Sequence, residues 1–372
     1  MTAIDCKTNV PITLDGAEAL AGVQRGGDFV KKDSSRSSRP NMKELAEALN
    51  LDRSTVSRAL SEDKSHLVGL ETRLRVREAA MKLGYRTDLT AAALRKGRTD
   101  TVGIIVSDLE NEIFITVLRQ IMAELHGTGL PNITPLIGET RDDLSATRDL
   151  LHRFLSRRVD AIISLAASDD QADILRSAAE QVPIVLAIRS IRGIDLPSAL
   201  CDDQAGGAMV AAHFAARGHK YVCQVQGPVA AATFRNRALG FSHVCKQSGL
   251  VEVPSSLIVR NATTQEGRDS FASILNASPR PTAIFAHNDS IAIGLVEDLR
   301  SGGFRCPEDF AIVGFNNTQI SRVLAIPLST VDYPTVEVGR HAARLVSNLI
   351  ENRDYAWKTS VFSPSLLVRA SS

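Results

Sequence analysis

The chain has 372 residues, of which 44% are hydrophobic and 23% charged, and its 43 Lys and Arg balance its 42 Asp and Glu. These values are typical of a globular protein with two or three domains, and they exclude a mini-protein and a largely disordered chain. No apolar run approaches the roughly 20 residues of a membrane helix, and no export signal is apparent. Five scattered cysteines without a C-x-x-C pair indicate a reducing cytoplasm.

Charge is unevenly distributed along the chain. Residues 1–39 are rich in Gly, Ser and Asp without a sustained period, which predicts a disordered extension. Residues 40–98 hold 12 Lys and Arg against 8 Asp and Glu, whereas the chain after residue 98 is acidic. A basic module joined to an acidic body suggests that the module, and not the body, meets a polyanion.

Three short helices are predicted within residues 40–89. Apolar residues recur at helical spacing from Met42, again from Val56, and a third time from Val76. Between the first two helices, Asn50 suits a left-handed helix end, and Asp52 can cap the second helix with its side chain. The result is a compact unit of about 45 residues, which is small for its own core but feasible.

Past Gly97 the pattern changes to short, wholly apolar runs separated by helical segments. Continuous apolar runs are typical of strands covered on both faces, and hence of parallel sheets built from strand-helix-strand units. About 270 residues is large for one such layer, so we expect two subdomains with a ligand-binding cleft between them. The predicted strands are residues 102–106, 161–165, 184–188, 221–225, 283–286 and 311–315.

The first two helices have the spacing of a helix-turn-helix, whose second helix lies in the major groove of DNA. Arg53, Ser54 and Arg58 are the candidate readers of base edges, because Arg can bond the O6 and N7 atoms of guanine together. Thr55 and Ser57 are candidate phosphate contacts. The alternative is an ordinary helical hairpin with a solvated polar face.

Several motifs follow the Ser-Thr-Val-Ser-Arg-Ala-Leu segment of residues 54–60 in a specific order. Among them are Leu-Gly-Tyr-Arg at 83–86, Gly-Arg-Thr at 97–99, Arg-Gly-His at 217–219, Asn-Asp at 288–289 and Ile-Val-Gly-Phe at 312–315. From about Met42 to the C-terminus, the chain resembles the LacI/GalR family of bacterial repressors. The resemblance implies an α/β protein with a small all-α helix-turn-helix head and a periplasmic-binding-protein-like body of two doubly wound parallel-sheet subdomains.

The resemblance also implies a domain plan and partners. We expect a cytoplasmic, nucleoid-associated homodimer that binds a palindromic double-stranded operator and is controlled by a small-molecule effector, without contact to a membrane. No leucine heptads follow the last predicted strand, so a dimer is expected rather than a tetramer. The expected ranges are a head at 40–89, a hinge helix and linker at 90–100, and a body at 101–372, with subdomain one at about 101–201 and 331–360 and subdomain two at about 202–330 and 361–372.

The hinge segment is Ala-rich and too short to form a stable helix alone, but it can order on DNA. The resemblance implies that Leu94 wedges between base pairs in the minor groove and that Arg95 and Lys96 contact phosphates. The alternative for Leu94 is a linker residue that covers the body.

The effector residues are inferred from the resemblance. Ile188 stands where relatives often have Asp, Asn316 replaces a frequent Asp, and Thr263 occupies a position that is aromatic in several members. Two acceptors and a stacking face are therefore missing, which leaves Arg189 and Arg237 less neutralised and allows a sugar, a polyol or an anionic sugar acid. Alternatively, Arg189, Asp289 and Arg237 only close an interdomain network. The candidate effector contacts are Asp108, Asn111, Phe114, Arg189, Thr233, Arg237, Asn288, Asp289 and Asn316.

No catalytic motif, cofactor loop or metal-ligand spacing is present, so we expect neither an enzyme nor a bound metal or cofactor. His213, His219 and His287 adjoin predicted core elements and are expected to be structural. Two other functions stay open: a solute-binding protein without a DNA function, and a regulator that answers to a protein corepressor.

Overall fold

The computed structural model describes residues 40–61, 64–85, 97–127, 133–254 and 257–372. The chain divides into two compact units, Met1–Thr87 and Asp88–Ser372. The predicted disordered extension and the hinge residues Leu94, Arg95 and Lys96 lie outside the described residues.

The first unit contains the three predicted helices, which are confirmed. They are α1 (Met42–Leu49), α2 (Arg53–Leu60) and α3 (Leu70–Leu83), with one turn of 3-10 helix at Ser65–Leu67. Each helix contributes two buried side chains to a small apolar core made of Leu45, Ala46, Val56, Ala59, Val76 and Ala80.

The residues at the helix ends of this unit have the predicted conformations, except at the start of α2. Asn50 ends α1 in the left-handed conformation with φ 52°, as predicted, and Gly84 does the same for α3 with φ 67°. The predicted side-chain cap at Asp52 is wrong: Asp52 stands at the N-cap position of α2, but its exposed carboxylate accepts no hydrogen bond from the helix. Only its main-chain carbonyl accepts, from the amides of Thr55 and Val56.

The second unit is built on two sheets that are parallel except for one antiparallel edge pair, β11 with β13. Sheet one has the order β12-β5-β4-β3-β1-β2, with bounds Ser360–Phe362, Ser198–Cys201, Ile184–Ala187, Ala161–Ser164, Thr101–Val106 and Thr134–Glu139. Sheet two has the order β13-β11-β10-β9-β6-β7, with β8 also paired to β6; the bounds are Ser365–Leu367, Ser329–Asp332, Ala311–Asn316, Ala283–Ala286, Tyr221–Gln226, Val251–Glu252 and, for β8, Leu257–Ile258.

Helices cover both sheets, so the predicted α/β class is confirmed. Those of sheet one are α4 (Glu112–Gly127), α5 (Leu144–Ser156), α6 (Ala172–Ala179) and α12 (Thr335–Glu351). Those of sheet two are α7 (Asp203–Ala216), α8 (Ala232–Ser248), α9 (Thr264–Leu275) and α10 (Asp289–Ser301), and the short α11 (Gln319–Val323) follows β10. None of the helices in the described part of the chain is long and apolar enough to cross a bilayer.

The chain passes between the sheets three times: after Cys201, after Asp332, and between Phe362 and Ser365. The second and third crossings lie two residues later than the sequence placed them, because β11 and β12 continue to Asp332 and Phe362. In a parallel sheet, ligands usually bind beyond the carboxyl ends of the strands. In sheet one these ends are Val106, Ser164 and Ala187.

Helices α7 and α8 touch through their backbones, and two glycines make this contact possible. A Cβ atom at Gly240 would lie 1.9 Å from the carbonyl oxygen of Gln204, and one at Gly207 would lie 2.0 Å from that of Arg237. No side chain larger than hydrogen fits at such a separation. The close approach places Asp203 on α7 beside Arg237 on α8.

Candidate DNA-reading helix and effector cleft

Helix α2 separates its predicted DNA contacts from its core residues. Val56 and Ala59 are buried, whereas Arg53, Ser54 and Arg58 are exposed. The predicted phosphate contacts Thr55 and Ser57 are half-buried at the border of this face. The eight-residue helix therefore presents two arginines and a hydroxyl on one outward surface.

The start of α2 also has free donors. The carboxylate of Asp52 does not cap the helix, and within the described residues the amides of Arg53 and Ser54 form no hydrogen bond. The first amides of a helix, together with its dipole, form a natural binding site for an anion such as a DNA phosphate. In the part of the chain that the structure describes, neither Arg53 nor Arg58 is engaged in an ion pair.

A polar cluster forms at the carboxyl ends of β1, β2 and β4. Arg189 is buried and binds Asp142 with both terminal nitrogens, Nη1 to Oδ1 at 2.6 Å and Nη2 to Oδ2 at 3.3 Å. The Oγ of Ser107 donates to Oδ1 of the same carboxylate at 2.7 Å, and the guanidinium carbon of Arg189 lies 5.3 Å from the ring centre of Phe114. The side chain of Asp142 remains 39% exposed, so its carboxylate is accessible at this edge.

The backbone before Arg189 is strained. Ile188 has φ 70°, and the amide of Arg189 donates to the carbonyl of Ala187 at 2.8 Å, which closes a three-residue turn. A β-branched residue in this conformation costs about 1 to 3 kcal/mol, and such strain is concentrated at functional sites. The turn directs the Arg189 side chain across the strand end toward Asp142.

Arg237 is buried against sheet two and paired there. Its Nε donates to Oδ1 of Asp203 at 2.8 Å, its Nη1 donates to the carbonyl oxygen of His287, and its guanidinium carbon lies 3.5 Å from the ring centre of Phe315. Burial raises the pKa of Asp203 to about 6, although the neighbouring Arg237 acts to lower it. The prediction that Arg189 and Arg237 are left less neutralised is therefore wrong, because each has a carboxylate partner that the sequence pattern did not reveal.

Asn288, a predicted effector contact, uses its side chain to hold the local structure. The Oδ1 of Asn288 caps α10 by accepting from the amide of Ile291 at 2.8 Å, and its Nδ2 donates to the carbonyl of Ala262 at 2.8 Å. With 2% of its surface exposed, Asn288 has little left to offer a ligand.

Asp289 is fully buried and accepts three hydrogen bonds. Its Oδ2 accepts from the amide and the hydroxyl of Thr318 at 2.7 and 2.9 Å, and its Oδ1 accepts from Thr330 at 2.6 Å. Burial raises the pKa of this carboxyl to about 6. Asp289 therefore joins α10, the β10–α11 loop and β11, all of which belong to the part of the body built on sheet two.

Asn316 has an unpaired acceptor. Its backbone has φ 111°, its side chain is buried, and within the described residues its Oδ1 has no hydrogen-bond partner. It lines a cavity of about 170 Å³ together with Glu112 and Thr116 of α4 and with Asp332 and Tyr333 at a crossing between the sheets. This volume is below the about 300 to 1,000 Å³ of typical ligand sites.

The remaining predicted contacts lie on both sheets. The Oδ1 of Asp108 accepts from the amide of Glu110 at 2.8 Å, Asn111 immediately precedes α4, and Thr233 is buried in the first turn of α8. Thr263 caps α9, so the position that is aromatic in relatives has a local structural role here. Only Asn316 of the predicted set lines the cavity.

Comparisons with known proteins agree with this architecture. Residues 211–372 match the model of a periplasmic binding protein-like domain. The chain is 25% identical over 332 residues to the HTH-type transcriptional repressor PurR of Mannheimia succiniciproducens, covering 89% of this chain and 98% of the relative. It is 27% identical to the HTH-type transcriptional regulator DegA of Bacillus subtilis, covering 88% and 96%.

A solved structure adds a fold match to the sequence match. The crystal structure of a regulatory protein of LacI family from Chloroflexus aggregans is 26% identical, covers 73% of this chain and 98% of its own, and has a TM-score of 0.63. In sequence and fold the chain is therefore similar to transcriptional regulators of the LacI family. These relatives are transcriptional regulators rather than enzymes.

Direct contacts join the two sides of the cleft between the sheets. The carboxylate of Asp169, after β3, pairs with Nη2 of Arg235 on α8 at 3.0 Å, and its amide donates to the carbonyl of Ala230 at 3.4 Å. The carboxylate of Glu112 accepts from the amide of Gln319 at 2.8 and 3.0 Å. The two sheets are thus joined by an ion pair and by main-chain hydrogen bonds on both sides of the cleft.

The three histidines that the sequence predicts to be structural have protein partners. Nε2 of His287 lies 2.8 Å from Oε1 of Gln224, and burial lowers its pKa well below the ordinary value. His213 and His219 lie 2.9 Å from the hydroxyls of Ser372 and Thr282. Across the described ranges, no group of His, Cys, Asp and Glu is arranged to hold a metal.

Proposed function

We propose that this chain is a repressor that binds a palindromic operator as a cytoplasmic, nucleoid-associated homodimer. The observation that carries the proposal is the outward face of α2, where Arg53, Ser54 and Arg58 stand opposite the buried Val56 and Ala59. An exposed arginine without an acidic partner is free to bond guanine in the major groove.

Leu94, Arg95 and Lys96 complete the proposed DNA contacts. They follow the helical unit in the sequence and precede the body, as a hinge segment must. A leucine wedge between base pairs costs a few kcal/mol of unstacking, which contacts with the bent DNA offset. Arg95 and Lys96 supply phosphate contacts that make the affinity depend on salt.

The DNA-reading role is tested by selecting duplexes from a randomised library and measuring the affinity for the enriched and a scrambled duplex. Arg58→Ala should reduce the discrimination between them by about 1 to 3 kcal/mol, because a base contact is lost. Arg300→Gln, an exposed arginine on α10, is the control and should leave both affinities unchanged. Unaltered discrimination in the Arg58→Ala variant contradicts the role of α2.

The proposed effector is a neutral molecule rich in hydroxyl groups. Arg189 is balanced by Asp142, and Arg237 by Asp203, so neither guanidinium offers an uncompensated positive charge to an anion. Among the described residues, the exposed carboxylate of Asp142 and the unpaired Oδ1 of Asn316 can accept hydrogen bonds, and the unpaired hydroxyl of Tyr333 can donate one. Hydroxyl groups can donate to such acceptors, whereas an ionised carboxylate has no proton to donate to Asp142 or Asn316.

Control of DNA binding by such an effector needs only a modest coupling. A ligand that contacts both sheets would favour one relative position of the sheets. A difference of about 1 to 3 kcal/mol between two states changes affinity by about 5 to 150-fold. Whether the effector weakens or strengthens operator binding follows from which state the operator prefers.

The effector class is tested by isothermal calorimetry with neutral sugars and alditols (ribose, glucose, galactose, mannitol) against the sugar acids gluconate and glucuronate. We expect binding by a neutral compound, with at least about tenfold weaker binding of sugar acids. Binding of a sugar acid in preference to every neutral compound, or of no neutral compound at all, contradicts the proposal.

A further inference from the structure

A second cavity, of about 370 Å³, lies at the end of sheet one opposite to the cleft. Its lining comes from the segments that lead into β1, β3 and β4 and from the last turns of α5 and α12. We call it the strand-start cavity. Its volume falls within the about 300 to 1,000 Å³ of small-molecule sites, whereas the cavity beside Asn316 does not.

The floor of the strand-start cavity is apolar. Val159, Val182 and Leu349 line it and are otherwise almost fully buried in the core of sheet one. These side chains are fixed by packing, so the floor is preformed. It offers a small apolar surface to the carbon portion of a ligand.

The rim is cationic. Arg98, Arg158 and Arg353 line the cavity, and Arg98 is paired with Asp100 through Nε and Oδ1 at 2.7 Å. Nη2 of Arg353 donates to the carbonyl of Gln181 at 3.1 Å. Among the described residues, neither Arg158 nor Arg353 forms an ion pair.

The acidic group of the cavity is already engaged. The carboxylate of Asp160 accepts from the amide of Thr99 at 2.9 Å through Oδ1 and from the amide of Thr101 at 3.2 Å through Oδ2. It therefore fixes the start of β1. Helices α5 and α12 also end at this cavity, and their C-termini carry roughly half a negative charge each.

The charges at the cavity balance in sum, but the positive ones lie on the rim. With Arg98 assigned to Asp100, the negative groups at the cavity are Asp160 and the two helix ends, and the positive groups are Arg158 and Arg353. The negative groups are held at the strand start and the helix backbone, whereas the two guanidinium groups project from exposed positions with free donors. Planar guanidinium groups with free N–H donors bind phosphate oxygens in pairs.

We propose that the strand-start cavity binds a small organic phosphate, with the phosphate on Arg158 and Arg353 and the carbon portion on the apolar floor. A cavity of this size admits a single metabolite but not a DNA duplex. Gly97 and Arg98 stand where the body begins, so the ligand contacts the first residues after the segment that joins the two units. The site is separate from the effector cleft and does not depend on the function proposed for it.

The test uses calorimetry on the full chain with phenyl phosphate, inorganic phosphate and phenol as probes. Phenyl phosphate should bind, inorganic phosphate should bind about tenfold more weakly, and phenol should not bind measurably. Arg158→Asn and Arg353→Gln should each weaken phenyl phosphate by about tenfold, the value of one charged hydrogen bond. Asn at position 158 tolerates the left-handed backbone, which has φ 53°. Arg300→Gln is the charge-matched control and should bind as the unmodified chain does.

Four results would overturn the proposal. They are no binding of phenyl phosphate, equal binding of phenol, unchanged affinity in both cavity variants, and a salt dependence of duplex binding that falls in these variants. The last result would assign the arginines to DNA phosphates, since each lost phosphate contact lowers the slope of log K against log salt by about 0.9. Circular dichroism of Arg158→Asn and Arg353→Gln at equal urea concentrations checks that both variants are folded.

Discussion

The arginines at the two ends of sheet one have opposite surroundings. At the carboxyl end, Arg189 is buried and held by both oxygens of Asp142. At the amino end, Arg158 and Arg353 are exposed and have no carboxylate partner among the described residues. An arginine in a pocket is therefore not by itself a sign of an anionic ligand, because its partner decides whether its charge is available.

Arg237 is a second arginine whose charge is balanced by a carboxylate partner. Its side chain and that of Asp203 are each 4% exposed, so the pair is a closed unit within sheet two. Three regions thus form a series: a sealed pair at Arg237, an accessible pair at Arg189, and unpaired cations in the strand-start cavity. The ligand chemistry that we propose changes along this series from none, through neutral, to anionic.

The largest effect is expected from breaking the sealed pair. Asp203→Ala leaves the Arg237 charge buried without a partner, which should lower the free energy of unfolding by about 3 to 5 kcal/mol in urea titrations. Asp173→Ala, which breaks the exposed Asp173–Arg176 pair, should cost at most about 1 kcal/mol. Equal losses in the two variants would show that Arg237 does not depend on Asp203. The double change Asp203→Ala with Arg237→Met should recover part of the loss.

Asp289 differs from Asp203 because two hydroxyls and an amide, rather than an arginine, donate hydrogen bonds to its carboxylate. Its folded pKa of about 6 lies above the ordinary 3.8, so the folded chain holds this proton more tightly than the unfolded chain. The stabilisation from the proton is complete below about pH 4 and is lost as the pH rises through 6, by about 2 to 3 kcal/mol.

The measurement is the difference in unfolding free energy between the unmodified chain and Asp289→Asn across pH 4 to 7. Asp203 titrates in both proteins and cancels in the difference. The unmodified chain should lose stability relative to the variant as the pH rises. A difference that is constant, or that changes in the other direction, contradicts the raised pKa.

A smaller effect is expected when Arg189 loses its carboxylate partner and so becomes an unpaired cation, like Arg158 and Arg353 in the strand-start cavity. Asp142→Asn removes the carboxylate that balances Arg189, so the affinity for a neutral polyol should fall by about tenfold and that for gluconate should rise. Calorimetry with both compounds measures the change. Asp149→Asn, on an exposed face of α5, is the matched control and should alter neither affinity. A parallel fall for both compounds would mean that Asp142 only supports the local structure.

The sequence predicts most of the central strands because they are buried on both faces. Runs such as 102–106 and 283–286 are wholly apolar, and both are strands. The sequence pattern does not predict strand β2, because this edge strand contains Pro135 and has exposed or half-buried residues throughout, so that it forms no apolar run. The short strands β12 and β13 carry too few residues to show a pattern.

The site was less predictable because its partners are distant in the chain. Asp142 is 47 residues from Arg189, and Asp203 is 34 residues from Arg237, so no local spacing joins them. Asn288 and Asp289 were recognisable as a motif, but a motif does not reveal that their oxygens are used for a helix cap and a loop. The helix-turn-helix was predictable down to its exposed residues, because helical period alone separates Arg53 and Arg58 from Val56.

One titration tests both DNA reading by α2 and the control of DNA binding by a neutral ligand in the cleft. Fluorescence anisotropy would follow binding of the full chain to its enriched duplex while the neutral compound found by calorimetry is added at saturating concentration. We expect the dissociation constant for the enriched duplex to change by about 5 to 150-fold and that for a scrambled duplex to stay constant. An unchanged affinity for the enriched duplex with the compound bound would contradict the account.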